Sequence, residues 1–185
     1  MRDEIIADMK GRMDKTISNL KKEFMKLRTG RATPALLEGI KVECYGTTMP
    51  LEQVASISVP ESRLLVVKPW DKNILADIEK AILKSDLGLT PQNDGRLIRI
   101  AIPALSEERR KELAKVAKKM AEESKIAIRN IRRDTNDFFK DLKKNKEISE
   151  DDMYRALDEV QKVTDEYIEK VEDALDEKVK EIMEF

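Results

Sequence analysis

Residues 26–46, KLRTGRATPALLEGIKVECYG, break one periodicity and begin another. Upstream, Ile6, Met9, Met13, Ile17, Leu20, Phe24 and Leu27 recur at alternating steps of three and four. They form one apolar stripe on a helix of about 28 residues, roughly 42 Å long at 1.5 Å per residue. Thr29-Gly30 is expected to stop that helix, because glycine leaves helical geometry at the least cost. Beyond it, Lys41-Val42-Glu43-Cys44-Tyr45 alternates weakly, as a half-buried strand does. A long charged helix thus gives way to a sheet-forming insert at Gly30, with Arg28 and Arg31 on either side of the break.

The helical period returns after Pro103, where Ser106 is a candidate cap and Glu107 and Glu108 suit the first turn. Leu113, Ala117, Met120, Ser124, Ala127, Ile131, Thr135, Phe138 and Leu142 hold the stripe, with Ile126 pointing away from it. A short connection through Asn145 and Glu147-Ile148-Ser149 follows, with Ser149 and Asp152 able to satisfy free amides at the next helix start. The third stripe is Met153, Leu157, Val160, Thr164, Tyr167, Val171, Leu175 and Ile182. A single stripe cannot stay in water, and these three can bury one another as an antiparallel three-helix bundle.

Between the first and second helices, residues 54–59, 64–68 and 96–102 are apolar or alternating runs punctuated by Pro50, Pro60, Pro69, Pro91 and Pro103. Residues 71–85 carry Ile74, Leu75, Ile78 and Ile82 on one helical face. The expected class is α+β: an elongated antiparallel three-helix bundle, residues 1–30 and 105–185, with a small mixed α/β domain inserted at 31–104. The backbone crosses between them twice, near Gly30 to Pro34 and Ile102 to Leu105. Glycine and proline there suit a hinge, and a rigid double crossing with Gly30 as a simple helix cap fits the local sequence equally.

Charge is unevenly distributed. Residues 1–31 hold nine Lys or Arg against five Asp or Glu, and 105–146 hold fourteen against eight, whereas 147–185 hold five against fifteen. Such separation serves attraction between neighbouring helices or leaves a basic face for a polyanion. With no histidine, a histidine-based triad is impossible, and the single Cys44 excludes an internal disulfide framework and leaves no plausible zinc site. Cys44 reads as a small buried hydrophobe within a strand. The scattered glycines lack phosphate-loop spacing. No cofactor is expected, and the chain is not expected to be an enzyme. No signal-like segment is recognised and no run reaches the about 18 apolar residues of a membrane span, so a reducing cytoplasm is the expected setting, with no membrane partner.

The arginines carry the functional signal. In IAIRNIRRD, residues 126–134, Arg129, Arg132 and Arg133 fall within about 100° of one helix face, away from Ala127, Ile131 and Thr135. The planar guanidinium fork can clamp successive backbone phosphates without reading bases, which favours shape recognition of structured RNA. The competing reading pairs these arginines with Asp134, Asp137 or the acidic third helix. Arg28 has a local use too, because the carbonyl end of the first helix favours positive charge; Arg31 has less of one. Phe24, Phe138 and Tyr167 lie on stripes and read as core, while Tyr45 and Trp70 could be core, rim or contact.

LRTGRATP at 27–34 and IRNIRRD at 128–134 resemble the signature stretches of the ribosome recycling factor family. The resemblance covers essentially the whole chain, with the insert and final amphipathic helix in the family's order. It implies an L-shaped molecule, comparable in outline to transfer RNA, that binds the post-termination ribosome. It further implies action with elongation factor G, the GTPase of the pair, to split the subunits and release messenger and transfer RNA. Carried onto these positions, large-subunit rRNA contacts would be Arg28, Arg31, Arg129, Arg132 and Arg133, and hinge crossings Gly30-Arg31 and Pro103-Ala104-Leu105. The implied partners are the large ribosomal subunit with its rRNA and elongation factor G, with no DNA, and the factor would be a monomer. A general structured-RNA module and a structural helical assembly protein are the alternatives.

Overall fold

The computed structural model describes residues 1–184, so position 185 of the expected bundle segment lies outside the described residues. The chain divides into two compact units, Met1–Leu27 with Glu107–Glu184, and Arg28–Ser106.

The first unit consists of three helices, α1 (Arg2–Lys26), α4 (Glu107–Lys144) and α5 (Glu150–Glu184). Ile6, Met9, Met13, Ile17, Leu20 and Phe24 of α1 are all buried. The α1 stripe ends sooner than expected, since Lys26 is the last helical residue and Leu27 is already extended at φ −73°, ψ 124°. Gly30 therefore does not stop the helix. Thr29 and Ala32 are buried in the second unit, and the Ala32 amide donates to the Ser62 carbonyl at 2.7 Å, so packing there draws the chain out of helical geometry first.

On α4 the buried residues are Leu113, Ala117, Ala121, Ile128, Ile131, Thr135, Phe139 and Leu142. This corrects the expected stripe by one residue at three points, with Ala121 for Met120, Ile128 for Ala127 and Phe139 for Phe138, and Ser124 is only half-buried. One residue is about 100° of helix rotation, and apolar neighbours at each point make the step ambiguous. On α5, Ala156 and Val163 join the expected Met153, Val160, Thr164, Tyr167, Val171 and Ile182, and the expected Leu157 and Leu175 are only half-buried.

The α4–α5 connection closes through paired backbone bonds, Lys146 N to Lys143 O at 3.0 Å and Glu147 N to Leu142 O at 2.9 Å. These form the Schellman pattern, with Lys146 at φ 62° in the left-handed position usually filled by glycine. Ser149 then caps α5, its Oγ accepting from the Asp152 amide at 3.1 Å. Tyr167 of α5 donates its hydroxyl to Asp14 Oδ1 of α1 at 2.6 Å. Burial and that bond push its phenol pKa up from 10.0 to about 12.

The second unit has a four-stranded antiparallel sheet in the order β3 (Ala55–Glu61), β4 (Leu64–Pro69), β6 (Ile98–Ala101), β5 (Pro91–Asn93). A separate hairpin pairs β1 (Lys41–Cys44) with β2 (Thr47–Pro50), and a four-residue helix α2 (Leu51–Val54) follows it. Helix α3 (Leu75–Lys84) buries Leu75, Ile78 and Ile82 in a core with Leu65, Val67, Ile98 and Ile100, the inward residues of β4 and β6. Cys44 is buried in that core. Tyr45 and Gly46 turn the hairpin with φ 52° and 75°, the two positive values a two-residue type I′ turn requires. The Tyr45 hydroxyl donates to the Asp71 carboxylate, which raises the phenol to about 12 and lowers Asp71.

Candidate nucleic-acid interface

Helix α4 sorts its charges by face. At 100° per residue, Lys111, Lys115, Lys118, Lys125, Arg129, Arg132, Arg133 and Lys140 fall within about 100° of arc. Glu122 is the one carboxylate between residues 111 and 140 in that arc. The opposite flank carries Glu123, Asp134, Asp137 and Asp141, and Asp134 accepts from Arg12 of α1 at 3.1 Å. The basic flank borders α5, where Lys125 pairs with Glu172 at 3.1 Å. Thus the acidic flank turns to basic α1, and the remaining cations form a track along the other side.

The three arginines on this track differ in their surroundings. Arg129 Nη1 lies 3.3 Å from Glu122 Oε1, two turns back on the same face, with the arginine side chain 46% exposed. An exposed pair of this kind contributes about 0–1 kcal/mol, so a phosphate can displace the carboxylate at small cost. Arg133 is exposed and has no side-chain partner among the described residues. Arg132 is half-buried, because it stands one turn from buried Ile128; its Nη1 donates to Gln161 Oε1 of α5 at 3.3 Å and its Nε is enclosed without a partner among the described residues. The expected outward face is correct for Arg129 and Arg133, while Arg132 sits at the α4–α5 seam.

Arg28 and Arg31 belong to the second unit. The Arg28 guanidinium donates to the Leu87 carbonyl at 2.9 Å, a bond within the second unit. With Gly30, Arg31, Leu36, Leu89, Ile102, Pro103 and Leu105 it borders a cavity of about 210 Å³. Gly30 has φ 78°, a left-handed value that favours glycine. Ala104 is exposed. Both chain crossings are tied to one turn: Ala32 N donates to Ser62 O at 2.7 Å, and Ile102 N to Arg63 O at 2.8 Å. Of the aromatics, Phe24 and Tyr167 are core, whereas Phe138 is 51% exposed, correcting its expected burial. Tyr45 and Trp70 are exposed as well.

Sequence reasoning stopped at the IRNIRRD arginines and missed the lysines that extend the track and the Gln161 contact. The lysines were readable by carrying the same helical angle along all of α4. Gln161 was not, since nothing in its neighbourhood says which residue of α4 it faces.

No group of three or more metal-ligating side chains occurs among the described residues, and none of their helices is long and apolar enough to cross a membrane. Fold and surface together define a class: a predominantly helical protein with an elongated α-helical domain, an inserted mixed α/β domain and a polycationic helix flank. The model of the ribosome recycling factor family matches residues 20–183, and the chain belongs to that family. It is 60% identical over 180 residues to the ribosome-recycling factor of Carboxydothermus hydrogenoformans, covering 97% of each chain. It is 58% identical over 184 residues to that of Syntrophus aciditrophicus, covering 100% of each. A solution structure of the ribosome recycling factor is similar at 40% identity and TM-score 0.75, covering 100% of this chain and 98% of the other. A second solved relative, with 47% identity, TM-score 0.64 and 98% of both chains covered, is the Thermus thermophilus ribosome recycling factor described with Escherichia coli elongation factor G on the post-termination complex.

Proposed function

We propose that this chain recycles ribosomes after termination by gripping large-subunit rRNA through the basic flank of α4. Ribosome recycling with elongation factor G is the activity of its family. The chain is a factor and not an enzyme: GTP hydrolysis belongs to elongation factor G, and the work of splitting the subunits and releasing messenger and transfer RNA is shared between them. The observation that carries the RNA reading is the charge sorting of α4, which leaves Arg129, Arg132, Arg133 and the flanking lysines along one face with a single carboxylate among residues 111–140. Guanidinium groups bind phosphate through paired donors and keep their charge at neutral pH. Spaced along a helix without base-reading geometry, they select a folded RNA by its backbone.

Arg28 and Arg31 are the further rRNA contacts in this reading, and Gly30-Arg31 with Pro103-Ala104-Leu105 are the pivots. Support for the pivots comes from the anchoring of Ala32 and Ile102 on neighbouring carbonyls, which leaves the bend to the residues outside those anchors. The factor acts as a cytoplasmic monomer, with no DNA or membrane partner. Binding of large subunits at several salt concentrations tests the grip. Arg133→Ala lowers affinity and reduces the slope of log K against log salt by about one unit, as loss of one phosphate contact does. An unchanged slope and affinity for Arg129→Ala, Arg132→Ala and Arg133→Ala alike would remove the proposed interface.

A further inference from the structure

We infer that Gln161 of α5 is a positioning residue for Arg132, holding the guanidinium in a fixed pose with a neutral acceptor so that its full charge remains for phosphate. This rests on Arg132 being an rRNA contact. Two bonds define the device. Arg132 Nη1 donates to Gln161 Oε1 at 3.3 Å, and Gln161 Nε2 donates to Asp165 Oδ1 at 2.8 Å. Among the described residues Arg132 Nε is enclosed and has no partner, and Nη2 has none either.

The chemistry fixes the orientation of the amide. A carboxylate only accepts and a guanidinium only donates, so a carboxamide between them must turn its NH2 to Asp165 and its oxygen to Arg132. Asp165 stands one turn along α5 from Gln161, on the same face, and locks that rotamer. Arg132 is thus steadied at both ends, by its half-buried stem and by Gln161, which reduces the side-chain freedom lost on binding. A carboxylate in place of the amide would hold the arginine equally well and would cancel the charge that attracts phosphate. Arg129, next along the same face, is held by the carboxylate of Glu122 instead. The two arginines are therefore prepared differently, Arg132 as a preset full charge and Arg129 as a charge released by exchange.

The test measures affinity of the full-length protein for large ribosomal subunits across a salt series, with helical content and thermal midpoint measured in parallel. Gln161→Met keeps length and removes the acceptor, Gln161→Glu supplies a charged acceptor, and Arg132→Ala removes the group being positioned. Gln161→Met should bind about fivefold more weakly with an unchanged salt slope, because the contact is loosened and the charge kept. Gln161→Glu should bind more weakly still, with a slope smaller by about one. Gln161→Met should not weaken binding further in an Arg132→Ala background. Wild-type affinity for both Gln161 variants, while Arg132→Ala weakens binding, would overturn the positioning role and leave the Arg132 contact standing. So would a loss from Gln161→Met that persists without Arg132. Wild-type affinity for Arg132→Ala would overturn the contact and the positioning together.

Discussion

Phe138 and Phe139 are adjacent and chemically identical, yet one is 51% exposed and the other 1%. Their sequence context admits either as the core residue, since the stripe can step by three or by four to reach Leu142. Phe139→Ala should therefore cost about 3–5 kcal/mol in denaturant unfolding, and Phe138→Ala should stay within about 0.5 kcal/mol of the parent. Equal costs would mean the assigned register of α4 is wrong. Asp94 offers a second test. It accepts from the Arg96 and Leu97 amides at 2.9 Å each and from Arg99 at 2.9 Å, between β5 and β6. The Leu97 and then the Arg96 amide hold its carboxyl below the usual 3.8. A depressed folded pKa stabilises fully above the unfolded value and is lost as pH falls through the folded one. The stability gap between the parent and Asp94→Ala should therefore be complete at pH 7 and shrink as pH drops below 3.8. A gap that grew in acid would contradict this.

The long elements were legible because their signals are long. Ile6 to Phe24 keeps one stripe for five turns, and all six of its expected residues through Phe24 are buried. Likewise Ile74, Leu75, Ile78 and Ile82 are all buried as their spacing implied. The short strands β2 (TTMP) and β5 (PQN) were not legible, since neither is apolar or alternating and each is defined by the strand beside it. Turn chemistry was half legible. Ser149 announced its cap, but Lys146 gave no sign of a left-handed residue because it occupies a position where glycine is the common choice. Replacing Lys146 with glycine should raise stability by up to about 1 kcal/mol, since the L side chain pays for that geometry. Thermal and urea unfolding check it, and a destabilised Lys146→Gly would mean the side chain contributes more than its backbone strain costs.

For the molecule as a whole, the informative quantity was where charge sits and not its sum. A net charge of −1 conceals fourteen basic residues in 105–146 and fifteen acidic ones in 147–185. The segment totals were plain in the sequence, whereas the split of α4 into an acidic flank toward α1 and a basic one bordering α5 needed the partners Arg12, Gln161 and Glu172. That split makes α4 both a structural strut and, in our reading, the grip on rRNA through which displacement of the inserted domain becomes force between subunits. The most direct measurement is breakdown of post-termination complexes by this protein, elongation factor G and GTP, followed by sedimentation of the released subunits. The account predicts splitting that requires all three and that falls when Arg129, Arg132 and Arg133 are replaced together by alanine in a folded protein, with the variant's deficit in ribosome affinity relative to the parent narrowing as salt rises. Full splitting by that triple variant, at every salt concentration, would contradict it.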